Sequence, residues 1–147
     1  MIVTGGPGED YQNVMIDNMR RIPVFVAAGS ISIRQLGAIF SCVNLVVSNS
    51  TGPLHIAAAV GTPVIGFYPQ HTALSAGRWG PYTKDKIIFT PKGKPLDCNR
   101  CEKQADHACE CMNSITVAEV VLAAQGLLRN KEASWSSSDL HFSGSTH

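Results

Sequence analysis

Two hydroxyls, a glycine and a proline in succession, Ser50-Thr51-Gly52-Pro53, are the residues of this chain best suited to hold a ligand. They follow the apolar run Leu45 to Val47 and lead into Leu54-His55-Ile56-Ala57-Ala58-Ala59-Val60, a short stretch of helical character. Pro53 suits the first turn of a helix, where an N–H lacks an intrahelical partner anyway. Gly61 then fits the residue just past the helix end, with Pro63 beyond it. A helix N-terminus built this way offers unpaired N–H groups, two hydroxyls and the positive end of the helix dipole, which together make a diphosphate site. Plain capping of the helix by Ser50 or Thr51 is the structural alternative. His55, one turn in, faces either the same ligand or the core, and spacing favours neither.

Other segments carry weaker signals. Gly5-Gly6-Pro7-Gly8-Glu9 follows a strand-like run but lacks the G-x-G-x-x-G spacing of dinucleotide folds and the Gly-Lys-Ser/Thr of a P-loop. Glu9 at a helix head either favours the dipole or accepts hydrogen bonds from a ribose diol. Arg78 either offsets charge on a phosphate or sugar, stacks on Trp79, or pairs with Asp85. His71 lies in the same loop and is left unassigned. Four of the five cysteines crowd into the stretch Cys98-x2-Cys101-x7-Cys109-x-Cys111. Four thiolates suit tetrahedral zinc, with His107 as a substitute ligand, so a structural zinc is one reading. Disulfide pairing and thiols that simply pack the loop are the others. Cys42, in an apolar helical context, is expected in the core.

These segments need elements to position them. Val24 to Ala27, Leu45 to Val47 and Val64 to Phe67 read as buried strands, with Met1 to Thr4 a shorter strand and Ile87 to Phe89 a weaker one. Glu9 to Arg20, Ile33 to Ser41 and Pro53 to Val60 read as helices, the last apolar all round and expected to be buried. Thr116 and Glu119 have the spacing of a capping box ahead of a final helix, Val117 to Leu128, with Val117, Val120, Val121, Ala124 and Leu128 on one side. Alternation of strand and helix implies an α/β fold: a Rossmann-like parallel sheet with flanking helices. Ligands of such sheets bind beyond the carboxyl ends of the strands, which selects the loops at Gly6, at Ile31, at Ser50 and at His71. Residues 1–128 form the expected domain, and the Ser-rich stretch 129–147 is expected to be disordered.

The chain has 147 residues, 44% hydrophobic and 16% charged, with a formal net charge of +1. The near-neutral balance argues against a nucleic-acid partner. No apolar run reaches the ~20 residues of a membrane span, and a cytoplasmic protein is expected.

From Ser50 to Pro63 the chain closely resembles glycosyltransferase family 9, the lipopolysaccharide heptosyltransferases. Gly5-Gly6-Pro7-Gly8-Glu9, Arg78-Trp79-Gly80-Pro81 and Cys111-Met112-x-x-Ile115 agree with it in the same order. The resemblance implies a two-domain, B-type enzyme of which this is the C-terminal, donor-binding half. It implies that Ser50, Thr51, Gly52 and His55 serve the diphosphate of a nucleotide sugar, ADP-heptose being favoured; Pro53 and Arg78 are further donor-binding candidates. It further implies that Glu9 contacts the ribose and that Ile31 to Ile33 forms the nucleobase wall, with Gly6 a donor-binding candidate beside Glu9 in sequence. The family needs no cofactor, inverts the anomeric centre and uses a lipid A-linked oligosaccharide acceptor at the inner membrane. Its catalytic aspartate and acceptor site belong to an N-terminal domain, so that domain or a partner chain is an expected partner. The chain alone is expected to bind donor without turnover. Ser50 departs from the Asp that many family members carry there, which leaves the identity of the donor open.

Overall fold

A computed structural model describes residues 1–6, 22–29, 31–92 and 110–138. The helix expected over Glu9 to Arg20 lies outside them, as do Glu9, Cys98, Cys101, His107 and Cys109. In chain order the elements are β1 (Ile2–Gly5), β2 (Phe25–Ala28), α1 (Ile33–Ser41), β3 (Val46–Asn49), α2 (Gly52–Ala59), β4 (Val64–Phe67), a 3-10 turn (Thr72–Leu74), α3 (Ala76–Trp79), β5 (Lys86–Phe89), a second 3-10 turn (Glu110–Ser114) and α4 (Val117–Ser138). The chain divides into two compact units, Met1–Ala38 and Ile39–His147.

In the first unit β1 and β2 pair in parallel, from Ile2 opposite Phe25 to Gly5 opposite Ala28. Both are more open than buried strands: Ile2 is 44% and Phe25 67% exposed. Helix α1 starts from a capping box, Ser32-x-x-Gln35, that the sequence reading did not name. Gln35 Oε1 accepts from the Ser32 N–H at 2.8 Å, and the Ser32 hydroxyl accepts from the Gln35 N–H at 3.3 Å.

The second unit holds a parallel sheet in the order β3-β4-β5. Among the described strands β4 alone has a partner on either side, and its Val64 and Ile65 are fully buried. Helix α2 makes the crossover from β3 to β4. It was expected to be buried all round but is buried along one side, at Leu54 and Ala57, while His55, Ala59 and Val60 are exposed. Alanine is apolar enough to resemble a core residue yet small enough to leave in water at little cost. Close packing of α2 depends on Gly66 in β4. A Cβ there would sit 2.8 Å from Leu54 Cδ2 and 3.1 Å from Ile88 Cδ1.

The far end of α2 is closed as the sequence implied. Gly61 takes φ +81°, and its N–H bonds to the Ala58 carbonyl at 3.1 Å. Thr62 is buried, and its hydroxyl donates to the Phe40 carbonyl at 2.6 Å, tying this turn to the end of α1. Cys42, expected in the core, is exposed. It falls in the turn just past α1, where its N–H bonds back to Ile39, so its side chain has left the apolar face that Phe40 buries.

The final helix begins as predicted, with Glu119 accepting from the Thr116 N–H at 2.9 Å and Thr116 Oγ1 from the Glu119 N–H at 3.3 Å. Lys92 also bonds Glu119. Two features differ from expectation. The sheltered stripe is Val120, Ala123, Ala124, Leu127 and Leu128, with Val117 and Val121 exposed. The helix also continues past Leu128 to Ser138. Residues 129–133 (Arg, Asn, Lys, Glu, Ala) include no glycine or proline to stop it. Residues 139–147 lie outside the described set.

Candidate functional site

The loop from β3 into α2 lies at the carboxyl edge of the sheet. Asn49 pairs with Phe67 at the last register position, and the Ser50 N–H extends the ladder to the Phe67 carbonyl at 3.1 Å. The chain then turns sharply: the Thr51 N–H reaches the Asn49 carbonyl at 2.7 Å. Thr51 is the N-cap residue of α2 in extended conformation (φ −131°, ψ 172°), yet its side chain makes no cap hydrogen bond. Its hydroxyl lies 3.4 Å from the Asn49 carbonyl and 3.4 Å from the Ser48 hydroxyl. Capping by Thr51, the bland alternative, is therefore not what this hydroxyl does. Gly52, the first helical residue, has its N–H among those that no intrahelical carbonyl reaches. Pro53 has no N–H to offer, and the Leu54 N–H is taken by the Thr51 carbonyl at 3.1 Å.

Ser50, Thr51, Gly52 and His55 are exposed, and Pro53 is half-buried. His55 is thus not a core histidine. The structure brings together an exposed run of hydroxyls, one uncommitted amide and the positive end of a helix. Ser48, which the sequence places in the same selected segment without a role of its own, belongs with them through its contact to Thr51. The arrangement can receive oxyanions by neutral hydrogen bonds and a dipole.

The loop after β4 lies beside it in the same unit and is cross-braced. Tyr68 is fully buried, and its hydroxyl donates to the Trp79 carbonyl at 2.7 Å; burial pushes this phenol above its ordinary pKa. The Trp79 indole N–H donates to the Ala73 carbonyl at 2.8 Å, and Lys86 Nζ to the Pro81 carbonyl at 2.8 Å. Gly80 lets α3 close, since a Cβ there would meet the Ala76 carbonyl oxygen at 2.4 Å. Arg78 is exposed in α3 with its guanidinium 5.6 Å from the centre of the Trp79 ring. Of the three readings of Arg78, stacking on Trp79 is the contact that forms.

The remaining predicted positions are dispersed. Gly6 and Ile33 are exposed and Ile31 is half-buried, all in the first unit, with Ile33 at 76%. Of the four cysteines proposed as zinc ligands only Cys111 is described. It lies in the 3-10 turn before α4, where its carbonyl accepts from the Ser114 hydroxyl at 2.8 Å.

Residues 3–124 match the model of glycosyltransferase family 9 (heptosyltransferase). The chain belongs to this family. Over 62 residues it is 49% identical to the lipopolysaccharide core heptosyltransferase OpsX of Haemophilus influenzae, which covers 42% of this chain and 17% of that protein. It is 31% identical over 103 residues to a second Haemophilus influenzae protein, one described as a glycosyltransferase, covering 67% of this chain and 30% of that protein. A crystal structure of a family 9 glycosyltransferase from Veillonella parvula superposes with a TM-score of 0.64 at 21% identity, over 88% of this chain and 36% of that one. This family 9 chain therefore spans less than a third of the length of these two Haemophilus relatives.

Proposed function

We propose that this family 9 chain supplies the donor-binding region of an inverting heptosyltransferase-like glycosyltransferase of lipopolysaccharide core synthesis, working in the cytoplasm at the inner membrane. The observation that carries the reading is the N-terminus of α2. Thr51 stands at the cap position with its hydroxyl turned away from the helix amides, next to an exposed Gly52. An α-helix ordinarily has this end closed by its cap residue, at a gain of about 1 kcal/mol. Leaving it open keeps donors and a dipole for the diphosphate of a nucleotide sugar, with ADP-heptose the favoured donor.

In that role the Gly52 amide and the hydroxyls of Ser50 and Thr51 hydrogen-bond phosphate oxygens. The positive end of the helix favours the negative charge that grows on the diphosphate as it departs. His55 reaches the same ligand from the exposed side of the first turn. Arg78, held by its stack on Trp79, adds a positive charge at the same sheet edge. In the first unit Glu9 serves the ribose, Gly6 the donor, and Ile31 and Ile33 the nucleobase. The acceptor, a lipid A-linked oligosaccharide, and the base that deprotonates it belong to an N-terminal acceptor domain or partner chain. No cofactor is required.

Calorimetric titration with ADP, UDP and GDP tests this. Selective ADP binding that weakens roughly tenfold in Thr51→Ala is the expected result. Equal affinity for ADP in both proteins would remove the α2 N-terminus from the site, and no nucleotide binding at all would refute the function.

A further inference from the structure

The stretch between β4 and β5 carries three large side chains that the fold leaves in water. Leu74 is 54% exposed, Trp79 52%, and Tyr82 fully. Contacts hold their backbones close. The Trp79 indole N–H donates at 2.8 Å to the carbonyl of Ala73, the residue before Leu74. Tyr82 follows the buried Pro81, whose carbonyl accepts from Lys86 Nζ at 2.8 Å. Single exposed apolar residues need no account, but a group of them marks an interaction surface.

Charge decides which partner this surface fits. Arg78, Lys84 and Lys86 are exposed in the same stretch, and Asp85 is its one acidic residue. No Asp or Glu at all occurs between Asp17 and Asp85. A surface that joins indole, phenol and leucine to cations matches the boundary of an anionic bilayer. Trp and Tyr settle at the headgroup level, where one part of the ring is apolar and the other wet. Lysines beside them are drawn to the negative surface potential of anionic lipids. An apolar group or a basic patch alone binds a membrane marginally, and the two together bind it firmly.

The stretch is also built to keep its shape. The buried Tyr68 hydroxyl holds the Trp79 carbonyl at 2.7 Å, and the Ser75 hydroxyl holds the Thr72 carbonyl at 3.0 Å. Arg78 lies against the Trp79 ring. A surface already ordered before it meets its partner loses little entropy on docking.

We propose that Leu74, Trp79 and Tyr82, with Lys84 and Lys86, form a docking surface for an anionic phospholipid bilayer. The three apolar side chains enter the headgroup region and the two ammonium groups meet lipid phosphates, while Arg78 adds to the positive field from its place on Trp79. The inference rests on the membrane setting of the proposed function and names the residues that provide it; nucleotide binding is independent of it.

Co-sedimentation with vesicles tests this, using phosphatidylcholine alone and phosphatidylcholine mixed with phosphatidylglycerol, at low and high salt. The parent chain should sediment with the mixed vesicles, weakly with the neutral ones, and less at high salt. Lys84→Gln should weaken the binding about fivefold, and the double variant Leu74→Ser, Tyr82→Ser about tenfold. Both variants change exposed side chains, so they should melt as the parent does and bind ADP equally. Parent and variants that sediment alike, or a parent that ignores the charge of the vesicles or stays in solution with both, would overturn the proposal. So would self-association of the parent that the double variant abolishes without any vesicle binding, which would make the surface a contact between copies. ADP titration separates the two readings: vesicle binding lost with ADP binding kept ends this inference alone, and the converse ends the donor-binding reading alone.

Discussion

Replacing Gly66 by alanine is the sharpest perturbation of how this fold aims its site. The added methyl would lie 2.8 Å from Leu54 Cδ2, 3.1 Å from Ile88 Cδ1 and 3.2 Å from the Tyr68 ring. Leu54 is fully buried and sits three residues after the Thr51 cap, so α2 cannot yield there without moving its own N-terminus. Overpacking of this kind costs about 1–3 kcal/mol. Leu54→Ala alone should cost about 2–5 kcal/mol, because it empties a fully enclosed space. The two changes should not add. Removing the leucine removes the nearest obstacle to the new methyl, and the methyl partly fills the cavity. The double variant should therefore be more stable than the sum of the singles predicts by about 0.5–3 kcal/mol. Urea unfolding of the four proteins measures the coupling, and ADP titration of Gly66→Ala reports whether the tilt reaches the site, with weaker binding expected. Additivity within about 0.5 kcal/mol would refute the claim that Leu54 and Gly66 set the height of α2 above the sheet.

Three further outcomes follow from individual contacts. Thr51→Ala should change stability by less than about 0.5 kcal/mol even as ADP affinity falls, because its hydroxyl caps nothing; a loss near 1 kcal/mol in urea unfolding would restore the capping role. Thr62→Val removes the bond that its buried hydroxyl makes to the Phe40 carbonyl at 2.6 Å, leaves that carbonyl the Val43 N–H at 3.3 Å, and should cost about 0.5–1.5 kcal/mol in the same assay. Lys92, with the amide and hydroxyl of Thr116, lowers Glu119 from its ordinary 4.5 to about 2. A carboxylate depressed in the folded state contributes stability that is present above its unfolded value and lost as pH falls through the folded one. Unfolding measured from pH 5 to 2 should therefore show less acid sensitivity in Glu119→Gln, and the difference should shrink in high salt because the pair is exposed.

Some elements were legible because one local rule decides them. Gly61 and Pro63 end α2 through backbone geometry alone, and Thr116-x-x-Glu119 opens α4 through two reciprocal hydrogen bonds. The Ile33–Ser41 helix matches its predicted bounds because its apolar residues recur at helical spacing. What depends on tertiary packing was less visible. Periodicity put Val117 and Val121 on the sheltered side of α4, whereas packing shelters Val120, Ala123, Ala124, Leu127 and Leu128. A helix rotated by one position keeps the same spacing, so the pattern cannot fix its rotation. In the site, Thr51 and Gly52 could be named from their order before Pro53, but the direction of the Thr51 hydroxyl could not. The loop rule selects the segments that hold Ser48 and His71 but gives neither residue a role, because one sits in a strand and the other in an irregular loop; the contact of Ser48 with Thr51 is visible only in three dimensions.

The two ends of α2 show how a binding loop can be left unsatisfied without becoming loose. Its C-terminal end is closed by the left-handed Gly61, the Thr62 amide bonding Ala57 at 3.0 Å and the buried Thr62 hydroxyl. Its middle is held to the sheet by Leu54 and Ala57, both fully buried, over the side-chain-free surface of Gly66. Those contacts fix the helix axis from behind. The N-terminal turn then needs no capping hydrogen bond to stay in place, and its donors can face outward already oriented. Helices α1 and α4, which begin with capping boxes, have closed the same groups upon themselves. In the proposed function, an anion arriving at α2 would find donors whose orientation was settled during folding, so little ordering would remain to oppose binding. The position of this loop therefore comes from buried residues behind it, and under the proposed function substitutions at Gly66 or Thr62 should reach affinity through position rather than contact.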